Sequence, residues 1–127
     1  MKRVLTFSFI FLLLGCSNDF GNKIIGGNLT VYYVEKSDID KAEEIAIFWK
    51  NNQLIPDEKQ DVQLIKFEKE YKLKIISNDI DNTKNMSFDE RKLLLELQKN
   101  IKKAIFPDNT FELVICNNKF EPIYNLN

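Results

Sequence analysis

The most reactive side chains in this chain are two thiols, and their surroundings differ. Cys16 closes the apolar run FLLLGC near the amino terminus, and Cys116 closes TFELVIC near the other end. A thiolate can act as a nucleophile, and catalytic sites usually place a base beside it. The usual base is missing, because the 127 residues include no histidine. The same lack removes the readiest general base near neutral pH and the commonest zinc ligand. Cys116, following Val114 and Ile115, is therefore expected to pack as a small hydrophobe. No catalytic residue is assigned, and no cofactor is expected. The chain's 19 acidic side chains keep a carboxylate-based hydrolase as an alternative, since glycoside hydrolysis needs two acids at a set separation. No spacing singles out such a pair. Glu43-Glu44, Glu58 and Asp89-Glu90 fit solvated helix faces and caps better.

The stretch Asp79 to Glu90, DIDNTKNMSFDE, has the oxygen donors of a calcium loop. Asp79, Asp81 and Thr83 fall at positions 1, 3 and 5 of the EF-hand pattern it resembles, and Glu90 falls at the closing position 12. Lys84 stands where that pattern needs glycine, and the preceding residues alternate like a strand instead of a helix. A metal site is therefore not assigned here. A calcium-dependent adaptor stays as an alternative, and Ser87-x-x-Glu90 is expected to cap a helix.

The chemistry open to Cys16 follows from what precedes it. Lys2 and Arg3 give a positive start, and Val4 to Leu14 carries no charge. This is the order of a secretory signal peptide. As a helix the run would reach about 16 Å, well short of the roughly 30 Å hydrocarbon core of a bilayer. Leu13-Leu14-Gly15-Cys16 resembles the lipobox of bacterial lipoproteins. The resemblance implies cleavage between Gly15 and Cys16, a diacylglyceryl group on the Cys16 sulfur and often an acyl group on the new amino terminus. Two or more chains make anchoring stable where a single one is marginal. Ser17 lacks the aspartate that resembles an inner-membrane retention signal, so in a Gram-negative cell the outer membrane is favoured.

Cleavage would leave 112 residues with a formal charge of −3, a composition that does not invite nucleic acid. Three of the four glycines fall between Cys16 and Asn28, so residues 16–28 read as the lipidated amino terminus and a flexible tether. Residues 29–127 then form one domain of ordinary size.

Within that domain, LTVYYV (Leu29 to Val34) has strand composition, and a helix is expected from Ser37 to Asn51-Asn52. Asp61 to Phe67 and Tyr71 to Ser77 read as strands joined by Glu68-Lys69-Glu70. A capped helix runs from Ser87 to Pro107, Thr110 to Cys116 is a strand, and Phe120 to Tyr124 is a possible edge strand. The order is βαββαβ. Its economical solution is the ferredoxin-like split βαβ: an antiparallel sheet with two helices on one face. The rhythm resembles small exported bacterial domains of uncharacterised function and brings no functional residue with it.

Tyr32 and Tyr33 must face opposite sides of their strand, so one leaves the core and is the candidate interaction residue. The expectation is a non-enzymatic lipoprotein of the bacterial cell envelope, held to a membrane through Cys16. Its sheet face or edge strand would meet an envelope protein or a small ligand.

Overall fold

The computed structural model describes residues 20–77 and 86–126. Among these residues six strands and two α-helices follow in the order β1 (Asn22–Gly26), β2 (Leu29–Tyr33), α1 (Ile39–Asn51), β3 (Gln60–Phe67), β4 (Glu70–Ile76), α2 (Phe88–Ile105), β5 (Thr110–Cys116) and β6 (Pro122–Asn125). A single turn of 3-10 helix, Lys36–Asp38, leads into α1.

All six strands join one sheet in the order β1-β2-β3-β4-β5-β6. The pairs β2–β3 and β4–β5 are parallel, and the other three are antiparallel. This overturns the antiparallel ferredoxin-like arrangement. In a split βαβ, the last long strand would dock on the outer edge of the first. Here that edge is occupied. Residues 22–26, part of the stretch expected to be a tether, pair along β2 as strand β1. Gly27 makes the hairpin possible: it is the first residue of a two-residue loop and has φ +63°, the sign a type II′ turn requires there.

One side of the sheet carries the main core. Leu29, Val31, Val62, Leu64, Leu73 and Leu113 are fully buried there, packed against Ala42, Ile45 and Trp49 of α1 and Ile101 and Ile105 of α2. Burying each large apolar side chain contributes about 1.5–3 kcal/mol. Both helices thus cover the same face. The strands advance in one lateral direction while β4 runs opposite to β2, so the two crossovers must have opposite hands. One of them runs against the right-handed preference of parallel units, which holds in about 98% of cases. A sequence argument that assumes that preference cannot arrive at this topology.

Local signals fared better than topology. Ser87 caps α2 as expected: its Oγ accepts from the Glu90 N–H at 3.1 Å, and Glu90 Oε1 accepts from the Ser87 N–H at 3.3 Å. The helix stops at Ile105, ahead of Pro107. At α1, by contrast, Ser37 lies in the 3-10 turn and Asp38 is the N-cap residue, without a capping bond from its side chain. Positive φ at the ends of these elements falls at Gln53 after α1 and at Phe120 after β5. Asn52 and Asn117 contribute side-chain hydrogen bonds to those turns.

Candidate interaction face

Among the described residues no helix covers the second side of the sheet. Across it, Tyr32, Gln63, Lys74 and Val114 stand in register from β2 to β5. Tyr33, its neighbour in the sequence, points into the main core and is 7% exposed. Of the two candidate tyrosines, Tyr32 is therefore the one that leaves the core.

Tyr32 is nevertheless not bare. Phe20, arriving from the amino-terminal side, meets its ring edge-on at 5.5 Å between centroids. Phe120, on the β5–β6 turn, meets Phe20 at 4.9 Å and Tyr32 at 6.1 Å, again edge-on. Edge-to-face contacts suit the ring quadrupoles. Two strand residues fasten this cover from below. Gln63 Nε2 donates to the Phe20 carbonyl at 3.0 Å, and Lys74 Nζ donates to the Phe120 carbonyl at 3.1 Å. With Ile76, Val114 and Cys116 these rings make a second, smaller core. Phe120 has φ +60°, a conformation that costs a bulky residue about 1–3 kcal/mol and persists only where its surroundings enforce it. Burial, and secondarily the charge of Asp61, pushes the Tyr32 hydroxyl above its ordinary pKa.

Cys116 lies at the bottom of this second core, completely buried, with Sγ 3.7 Å from the Val114 carbonyl oxygen. Burial pushes its thiol up, against the opposing pull of Lys74. A buried thiol with a raised pKa is a poor nucleophile. It packs as the small hydrophobe the sequence suggested.

Beside the aromatic cover a groove of about 480 Å³ crosses β3 to β6. Ile65, Lys72, Lys74, Glu112 and Val114 line it, with Pro122 to Tyr124 along the far wall. Lys72 and Glu112 pair at 3.4 Å. The volume falls within the range of small-ligand sites, and the mixture of apolar floor and few charges is typical of them. A second cleft, about 580 Å³, lies between the α1–β3 loop and the β5–β6 turn and gathers Asp57, Glu58 and Asp61. Asp57 and Glu58 are exposed, and Asp61 is half-buried. Asn28 Nδ2 pins that loop through the carbonyls of Pro56 and Asp57, at 3.0 and 2.8 Å.

Of the calcium-pattern residues, Asp79, Asp81 and Thr83 lie outside the described residues, as do Gly15 and Cys16. Glu90 is described, and its carboxylate is engaged with Ser87. Among the described residues no group of three or more acids and thiols is placed to hold a metal ion, and no helix is long and apolar enough to cross a membrane.

Phe20, Gln63 and Phe120 were not legible as site residues. Phe20 sits in a glycine-bearing stretch that looks like linker, and nothing local shows that Phe120 folds back across four strands. Lys72 and Lys74 did carry a signal, through their alternation with Tyr71, Leu73 and Ile75.

Fold and face together define a two-layer α+β domain with a mixed sheet: helices on one side, and an aromatic-covered, grooved sheet surface on the other. Residues 23–127 match the AF_1994_N family N-terminal domain, and the chain belongs to that family. The match begins inside β1 and covers the β1–β2 hairpin of this chain. No curated protein and no solved structure matches the chain.

Proposed function

We propose that this protein is a lipid-anchored, non-enzymatic binding module of a bacterial cell envelope, on the outer membrane where there is one. Cys16 is the acyl acceptor, through the signal and lipobox pattern that ends on it. Anchoring confines the domain to a thin layer and raises its effective concentration toward anything else held there. The observation that carries the binding role is the groove on the helix-free face, floored by Ile65 and Val114 and bordered by the Lys72–Glu112 pair. Its ligand is an envelope protein segment or a small molecule with an apolar body and an acidic group, which Lys72 and Lys74 would favour.

Crosslinking and pull-down of the full-length tagged protein from its native membranes test the proposal, with Cys16→Ser and Ile65→Asp as variants. A partner recovered with the parent protein and lost with both variants supports an anchored module that binds through the groove. Recovery unchanged by Ile65→Asp removes the groove from the account. Recovery unchanged by Cys16→Ser removes the anchor.

A further inference from the structure

The anchor and the helix-free face are connected by very little chain. Only residues 17–19 separate Cys16 from Phe20. Four Cα–Cα steps span at most about 14 Å. Phe20 is itself fixed, by its ring contacts to Tyr32 and Phe120 and by the bond from Gln63 to its carbonyl. We propose that the β1–β2 side of the helix-free face lies against the phospholipid bilayer, with α1 and α2 directed away from it. The proposal rests on acylation of Cys16.

Distance excludes the opposite orientation, with the helices down. Phe20 packs on the outer surface of the sheet, and both helices pack on the other. Turning the helical layer toward the bilayer would interpose the sheet and a layer about 10–12 Å across, placing Phe20 roughly 20 Å from the lipid. The connection cannot bridge that.

The surface that meets the bilayer suits it. On β1, Lys23 is opposite Tyr32 and Ile25 is opposite Thr30, so both project from the helix-free face. Ile25 is 64% exposed despite being a large apolar residue, and Lys23 is exposed beside it. An apolar side chain next to a cation fits the boundary between acyl chains and anionic headgroups. Gly26 and Ile24, the alternate residues of the same strand, turn inward toward α1 and the core. With this side down, the groove opens close to the membrane, which restricts its ligands to those arriving along the bilayer.

The test uses full-length protein taken from its native membrane and reconstituted in phosphatidylcholine–phosphatidylglycerol vesicles. An environment-sensitive fluorophore is attached at Ile25→Cys, at Lys23→Cys and, on the exposed side of α2, at Glu96→Cys. Cys116 is fully buried and stays unlabelled. Headgroup-nitroxide lipids should quench the two β1 labels several-fold more strongly than the label on α2. Equal quenching, or stronger quenching on α2, overturns the orientation. The mass of the amino-terminal peptide is read from the same preparation. An unacylated Cys16 overturns the anchor together with the orientation, whereas an acylated Cys16 with equal quenching overturns the orientation alone.

Discussion

The hydroxyl of Tyr71 on β4 donates to Oδ1 of Asp38 at 2.9 Å, joining the start of α1 to the centre of the sheet. Both residues are buried, at 6% and 3% exposure. The Tyr71 ring also leans on Phe106, which stacks on Phe111, so the bond sits among aromatic rings that exclude water. Tyr71→Phe removes the donor but leaves the buried carboxylate behind. A hydrogen bond to a charged group is worth about 1.5–3 kcal/mol. Urea unfolding should show a loss of about 2 kcal/mol with an unchanged slope. A double-mutant cycle with Asp38→Asn should show the two losses to be strongly non-additive.

The same pair makes stability fall in alkali. Burial first, then the hydrogen bond to Asp38 and the charges of Asp38 and Glu35, push the Tyr71 hydroxyl up to about 12. Between its unfolded value near 10 and that folded value, the native state holds a proton that the unfolded chain releases. Stability from this group is complete below pH 10 and declines as pH rises toward 12, by about 2–3 kcal/mol in all. Unfolding measured across that window should show a steeper decline for the parent protein than for Tyr71→Phe. Parallel declines would remove Tyr71 as the source.

Gly21 determines whether Phe20 can dock. Its φ is +105°, and a Cβ placed there would lie 2.7 Å from the Tyr33 carbonyl oxygen. Gly21→Ala should cost about 1–3 kcal/mol and release the Phe20 cover. Chymotrypsin should then cleave after Phe20 faster than in the parent protein. Gly26→Ala is the matching control. Its Cβ would meet only the Ala46 methyl at 3.7 Å, and its φ is not positive, so stability should change little.

Ser87→Ala should cost about 1 kcal/mol by opening the capping box at the start of α2. Melting curves with millimolar calcium test the other role the sequence offers for Glu90. Its carboxylate is already held by Ser87, so the melting temperature is expected not to move. A calcium-dependent rise would return the Asp79–Glu90 stretch to consideration, since a ligand that binds the native state stabilises it by mass action.

Patterns that act within a few residues were legible in the chain alone. The Ser87–Glu90 box, the stop before Pro107, the alternation around Tyr71 and the opposed directions of Tyr32 and Tyr33 all come from helix and strand periodicity and short-range capping. Strand order was not legible, because it depends on which edge is free. Gly26-Gly27-Asn28 looked like linker, yet with Gly27 in the left-handed region it turns β1 onto β2 and closes the edge that β5 would have taken. Nor does periodicity carry any information about crossover hand. The second core was hidden for a similar reason. Phe20, Tyr32 and Phe120 come together only when a turn from β5 and the segment before β1 fold onto the same bare face, and contacts across 88 residues between Tyr32 and Phe120 leave no mark on local sequence.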